Sequence, residues 1–143
     1  MNRLILVALF LPLTCQARLG DSSSRLESRY GRCQGRNGSI YLYRAEGYTF
    51  KAFMINGTCE VFDVSHNDKS KLSDIEIDTF LKKNGQGFRM SEGPNLGNMY
   101  WLDSSNGNLA EYSTTNYNLT FVSKKAQSLN PEEANTKAKT DRF

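Results

Sequence analysis

The sequence has only one histidine, one tryptophan, three prolines and three cysteines among its 143 residues. Because His66 is the only histidine, a catalytic histidine pair for acid–base chemistry is excluded. The sequence also has no glycine-rich phosphate-binding loop and no Gly-x-Ser-x-Gly nucleophile elbow, so two large classes of enzyme lack their signatures. Histidine and cysteine are common metal ligands, and the sequence has few of either, so we expect no metal site and no cofactor. These absences favour a non-enzymatic protein.

The N-terminal segment has the pattern of a secretory signal peptide. Arg3 precedes an apolar run at residues 4–13, which is shorter than the roughly 20 residues of a membrane-spanning helix. Cys15 and Ala17 are the small residues expected before a cleavage site, so we predict a signal peptide at residues 1–17. A bacterial lipoprotein with a lipidated Cys15 is the alternative. The mature chain is therefore expected to be extracellular and without a membrane anchor.

Loss of that segment leaves two cysteines, Cys33 and Cys59. In an oxidising compartment such a pair is most simply one disulfide, and two free buried thiols are the alternative. Three Asn-x-Ser/Thr sequons, at Asn37, Asn56 and Asn118, add to the expectation of a secreted glycoprotein.

The remaining sequence predicts one small α+β domain at residues 30–123, built on an antiparallel sheet of five or six strands with one helix. Asn56-Gly57 separates two apolar runs at residues 48–55 and 58–64, which is a strong hairpin signal. Ser73 and Glu76 form the capping box of a helix at residues 73–83. Other strands are expected at residues 39–44, 88–90, 99–103, 109–113 and 117–123.

The two ends of the mature chain are polar. Residues 18–29 are rich in serine and predict a flexible leader. Residues 124–143 have no apolar period and predict a disordered tail.

Few charged residues are candidates for chemistry. Glu60 and Asp63 lie three positions apart on a predicted strand, hence on opposite faces, and cannot form a carboxylate dyad. Glu60 with Arg89 or Lys51 could line a groove, and ordinary solvated charges on the wet side of the sheet are the alternative. His66 lies in a polar stretch and is expected to be a solvated loop histidine, with a lone general base or a pH-sensitive contact as the alternatives.

Four short motifs follow one another along residues 30–123: Tyr30-Gly31-Arg32-Cys33; Gly47-Tyr48 with Phe50 and Phe53; Cys59-Glu60-Val61-Phe62-Asp63-Val64; and Met99 to Asp103 with Asn106 and residues 109–115. This series resembles the ribonuclease-like candidate effectors that powdery-mildew fungi secrete. The resemblance implies a ribonuclease-like fold, a virulence role, a fungal pathogen as the source and entry into a host cell. It also implies that Glu60 occupies the position of the catalytic glutamate.

Other catalytic positions of such ribonucleases are not matched. Met99 stands where they carry an arginine, and Thr114 or Thr115 stands where they carry a histidine. We therefore expect a non-catalytic effector that binds a host protein or RNA. A weak ribonuclease using Glu60 with His66 or Arg89 is one alternative, and another small extracellular binding module is the other.

Overall fold

A computed structural model describes residues 19–129. The predicted signal peptide and residues 130–143 of the predicted tail lie outside this range. The described chain forms one antiparallel sheet of eight strands in the order β1-β2-β3-β4-β8-β7-β6-β5. The strands are β1 (Gly35–Asn37), β2 (Ile40–Ala45), β3 (Tyr48–Ile55), β4 (Thr58–His66), β5 (Phe88–Ser91), β6 (Met99–Asp103), β7 (Leu109–Ser113) and β8 (Asn118–Val122).

Three helices accompany the sheet: α1 (Ser23–Tyr30), α2 (Asp74–Asn84) and α3 (Lys124–Gln127). The α+β class and the antiparallel sheet are confirmed. All seven stretches that were predicted as strands lie in the sheet, which was expected to contain five or six strands, and β1 brings the number to eight. Within residues 19–129 the helices number three where one was expected. The extra strand β1 has a weak β-forming sequence and exists because it pairs with β2.

The predicted hairpin and helix are present. Asn56 and Gly57 have φ of 51° and 81°, the left-handed values that a two-residue hairpin turn between β3 and β4 requires. At the start of α2 the Ser73 side chain accepts from the Glu76 amide, while the Glu76 side chain accepts from the Ser73 amide. Both local signals therefore gave the correct element. The helix starts directly after Ser73, whereas β4 extends to His66, two residues beyond the predicted end of the strand.

The flexible leader expected at residues 18–29 instead contains α1. Ser22 caps this helix, and Asp21 binds Arg29, whose Nε lies 2.9 Å from Oδ2. Leu26 and Tyr30, one turn apart on the helix, are both buried. Tyr30 stacks on Phe50 with 4.2 Å between ring centroids. Two apolar residues in a polar segment are enough to dock this helix on the sheet.

The predicted tail also begins with structure. Ser123 caps α3, since its side chain accepts from the Ala126 amide. The side-chain nitrogen Nε2 of Gln127 then donates to the carbonyl oxygen of Gly107 at 2.9 Å. Residues 124–127 are therefore attached to the domain, contrary to the expectation of a disordered tail from residue 124.

The predicted disulfide is absent, because Cys33 and Cys59 are both free thiols. The backbone of Cys59 pairs with Gly20 and Asp21, just before α1, whereas Cys33 follows the end of that helix. The eight residues of α1, a helix about 12 Å long, lie in the chain between the segment that pairs with Cys59 and Cys33. Sequence analysis missed this helix.

Alternate residues of the central strands point to opposite faces of the sheet. One set forms the core with side chains of α1 and α2, and we call that side the covered face; its members include Phe50, Ala52, Phe62, Val64, Leu119 and Phe121. The opposite side, which we call the open face, carries Phe53, Val61 and Val122. These three side chains neither belong to the core cluster nor pack against it.

Candidate functional site

The three residues that a weak ribonuclease would use, Glu60, His66 and Arg89, lie far apart. Glu60 and His66 are six positions apart on β4, a separation of about 20 Å at 3.3 Å per residue. Arg89 is exposed on the edge strand β5, four strands away from β4 in the sheet order. Residues at these positions cannot act together on one phosphate group.

Glu60 occupies a β-bulge. Phe53 pairs with Val61 and Met54 with Cys59, so Glu60 is left without an opposite residue. The side chain is buried and accepts hydrogen bonds from Ser123 Oγ at 2.5 Å and Thr58 Oγ1 at 2.7 Å. The ammonium group of Lys125 lies 3.6 Å away. These contacts attach α3 to the sheet and leave the carboxylate no open approach for a substrate.

His66 is the centre of a hydrogen-bonded group that we call the His66 cluster: Tyr48, His66, Asp68, Ser70 and Glu76. Its Nε2 lies 2.6 Å from Glu76 Oε1, and its Nδ1 lies 2.7 Å from Ser70 Oγ. Tyr48 donates its hydroxyl proton to the same Glu76 oxygen at 2.6 Å. The histidine is half-buried at the end of β4, not in the solvated loop that was expected.

Ser70, His66 and Glu76 are the residue types of a catalytic triad, with a hydroxyl nucleophile, a histidine base and a carboxylate that orients the base. The hydrogen bond that Ser70 donates runs in the wrong direction for that role. Ser70 Oγ donates to Asp68 Oδ1 at 2.6 Å, so its oxygen can only accept from His66 Nδ1. Glu76 accepts at the other ring nitrogen. Ser70 therefore does not give its proton to His66, and the two side chains do not form a nucleophile–base pair.

The protonation states around this cluster follow from its contacts. Burial raises the pKa of Glu76, but hydrogen bonds from Tyr48, the Ser73 backbone and His66 outweigh burial and lower it to about 2. Burial, and next the hydrogen bond to Glu76, raise the pKa of Tyr48 to about 12. An ionised Glu76 thus joins α2 to β3 and β4. Sequence analysis identified Glu76 only as a capping residue, because its contacts with Tyr48 and His66 are not local.

A second site is a concavity of about 610 Å³ beyond the end of α1, lined by Tyr30, Gly31, Arg32, Cys33, Gln34 and Arg44. Its lining holds two guanidinium groups and no carboxylate. Nearby, the Arg36 guanidinium lies over the Tyr41 ring, 4.5 Å from the centroid. Arg32, Arg36 and Arg44 are all exposed.

The arginines are concentrated in the N-terminal part of the described chain. Residues 19–51 contain six basic and three acidic side chains, whereas residues 52–129 contain seven basic and nine acidic ones. Five of the six basic groups in the first segment are arginines, and we call them the arginine edge: Arg25, Arg29, Arg32, Arg36 and Arg44. Summed over the whole chain, the basic and acidic side chains nearly cancel, so the net charge does not reveal this difference between the two segments.

The three sequons differ in accessibility. Asn37 ends β1 and Asn56 lies in the β3–β4 turn, and both side chains are exposed. Asn118 is half-buried on the open face, where its amide nitrogen donates to Asp63 Oδ1 at 3.0 Å. The first two are therefore the more accessible acceptors for a glycan.

Within residues 19–129, no group of three or more histidine, cysteine or acidic side chains is placed to hold a metal ion. The same range contains no helix with the length and apolarity to span a membrane. Comparisons of the chain with protein-family models, curated proteins and solved structures give no significant match.

Proposed function

We propose that this protein is a secreted, non-catalytic binding protein that holds RNA at the arginine edge. The observation that carries the proposal is the concavity lined by Arg32 and Arg44 without a carboxylate. A site with two guanidinium groups and no internal counter-charge favours an anionic ligand. The effector role in a host, which the resemblance implies, is the biological setting of this proposal.

The type of basic residue supports a phosphate ligand. Guanidinium groups bind phosphate oxygens through paired N–H donors, and they stack on aromatic rings as Arg36 does on Tyr41. A phosphate backbone combined with bases that stack on such a surface is what single-stranded RNA offers. Of the host macromolecules expected from the sequence, RNA therefore suits this surface better than a protein.

The separation of Glu60, His66 and Arg89 supports binding without cleavage. Cleavage at the 2′-hydroxyl needs a base, an acid and a cationic group within reach of one phosphate. Glu60 is bound to Ser123 and Thr58, and His66 is bound to Glu76 and Ser70. Neither group is free to transfer a proton to or from a substrate.

The test is a titration of labelled single-stranded RNA by fluorescence anisotropy at several salt concentrations. We expect Arg32→Ala combined with Arg44→Ala to weaken binding by about tenfold or more and to reduce the slope of log K against log salt, since each phosphate contact contributes about 0.7. Lys71→Ala combined with Lys82→Ala removes the same charge from exposed positions away from the edge and is the matched control.

Equal losses in both double variants, or no RNA binding by the parent, would contradict the proposal. Poly-glutamate serves as the competitor with carboxylates in place of phosphates. Binding of poly-glutamate without binding of RNA would replace RNA by an acidic protein as the partner.

A further inference from the structure

An unbroken row of apolar side chains crosses the open face. Cross-strand register places its members side by side from β2 to β6, in the order Ile40, Phe53, Val61, Val122, Leu109 and Leu102. We call this set the apolar row. All six side chains are partly or largely exposed, and Ile40 and Leu102 at its ends are each 40% exposed. A contiguous apolar strip of this kind marks an interaction surface.

A second, mostly polar row runs beside the first. It passes through Leu42 on β2, Lys51 on β3, Asp63 on β4, Thr120 on β8, Glu111 on β7 and Tyr100 on β6. The boundary between β4 and β8 divides both rows into equal halves, three strands on each side. Lys51 lies one strand beyond β4, and Glu111 lies one strand beyond β8. Opposite charges therefore occupy equivalent distances from the centre of the face.

We propose that the open face binds a second copy of this chain about a two-fold axis that runs parallel to the strands along the β4–β8 boundary. Such an axis brings each position on one side of the boundary opposite the equivalent position on the other side. The apolar row then meets the apolar row of the partner. The facing pairs are Val61 with Val122, Phe53 with Leu109, and Ile40 with Leu102.

Charge complementarity identifies a copy of this chain as the occupant. In this arrangement Lys51 faces Glu111 of the second copy, and the symmetry produces the pair twice. Within one chain the two residues are separated by β4 and β8, so they do not pair with each other there. Lys51 lies opposite Asp63 in the sheet, and Glu111 accepts hydrogen bonds from the side chains of Asn98 and Tyr100. The two-fold rotation brings apolar side chains of one copy onto apolar side chains of the other, and Lys51 onto Glu111. The open face is therefore self-complementary.

The dimensions of the face indicate a weak dimer. Six strands at about 4.8 Å spacing make the apolar row about 24 Å wide, and the two rows lie about 7 Å apart. A contact of this size is smaller than a standard specific interface, so we expect the dimer to be weak and to form only at high protein concentration. The dimer does not depend on the proposed RNA binding, because none of the five arginines of the arginine edge belongs to either row.

The test is sedimentation equilibrium of the full chain produced in a bacterial host, which adds no glycan at Asn118. We expect a monomer–dimer equilibrium in the parent protein. Lys51→Glu and Glu111→Lys, made singly, should each weaken the dimer at least tenfold, because each places two pairs of like charges face to face. The double variant should recover most of the parent affinity. Thermal unfolding at low concentration verifies that each variant is folded.

A second pair of variants tests the apolar row. Ile40→Asp should abolish the dimer, whereas Ile75→Asp should leave it unchanged. Ile75 is the matched control, because it is 80% exposed on α2, outside the open face. A parent protein that stays monomeric at millimolar concentration would overturn the proposal. Failure of the double charge variant to recover affinity, or equal effects of the two aspartates, would overturn it as well.

Discussion

Glu76 Oε1 lies 2.6 Å from both His66 Nε2 and the Tyr48 hydroxyl oxygen, so one carboxylate joins α2 to two adjacent strands. Its second oxygen accepts from the Ser73 amide at 2.7 Å. A helix that starts with an ordinary capping box is thereby fixed to the end of β3 and β4. The stability of this joint depends on Glu76 being ionised.

The first prediction is that the protein loses stability in acid because Glu76 becomes protonated. Its pKa is about 2 in the folded protein against an ordinary 4.5, so its stabilising contribution is present above about pH 4.5 and is lost as pH falls towards 2. We expect Glu76→Gln to cost roughly 2 kcal/mol at pH 7 and much less at pH 2.5. Urea unfolding at several pH values measures both.

The control is Asp78→Asn on the same helix, whose carboxylate makes only an exposed pair with Lys82. We expect that substitution to change stability by less than about 0.5 kcal/mol. If the two variants show the same dependence on pH, the Glu76 contacts do not stabilise the fold as described.

The second prediction concerns the thiols. Burial raises the pKa of Cys59 to about 12, and its side chain is fully buried, whereas Cys33 is only half-buried. Without reductant, we expect iodoacetamide to label Cys33 alone in the native protein and both cysteines after unfolding. Mass spectrometry of a peptide digest identifies the labelled sites. Resistance of both cysteines to labelling after unfolding would instead demonstrate a disulfide.

The third prediction concerns the β3–β4 turn. A Cβ added at Gly57 would meet open space, so the cost of a substitution comes only from its φ of 81°. We expect Gly57→Val to destabilise the protein by roughly 1–3 kcal/mol, since a β-branched residue resists positive φ. Asn56→Gly should have little effect, because glycine accepts the same conformation. A melting temperature of Gly57→Val within a degree of the parent would be evidence against this turn.

The fourth prediction is that Glu60 stabilises the fold and does not cleave RNA. Removal of a buried carboxylate that accepts from Ser123 and Thr58 leaves their hydroxyls without this acceptor, so Glu60→Ala should cost roughly 2–3 kcal/mol. Incubation with single-stranded RNA should yield no products from the parent or the variant. Glu92→Ala, at an exposed loop position, is the control. Robust cleavage by the parent and none by a folded Glu60→Ala would favour the ribonuclease alternative.

Local signals in the sequence predicted the elements that depend on local physics. Asn56-Gly57 fixed a hairpin, and Ser73 with Glu76 fixed a helix start, because the turn angles and the orphan amides involve neighbours in the chain. The helix α1 was missed because its stability comes from Leu26 and Tyr30 packing on distant strands. Propensity alone does not identify such a helix.

The candidate site was the part least accessible to sequence reasoning. Assigning Glu60 to one face assumed a regular strand, and the bulge between Phe53 and Met54 breaks that alternation. His66 was placed in a loop because its neighbours in the sequence are polar, and its partner Glu76 lies ten positions away on a separate element. The arginine edge combines α1, β1 and β2, and the sequence did not predict the first two of these elements.

The strand order divides the sheet into two four-stranded meanders, β1–β4 and β5–β8, which meet only where β4 pairs with β8. Within each meander neighbouring strands are joined by connections of two to seven residues, and hairpins of this kind form in microseconds. The joining of the meanders instead brings together residues such as Asp63 and Asn118, which are 55 positions apart. The chain loses conformational entropy when it closes this long loop, and it does so before the contacts between β4 and β8 can compensate. We therefore expect the pairing of β4 with β8 to limit the folding rate.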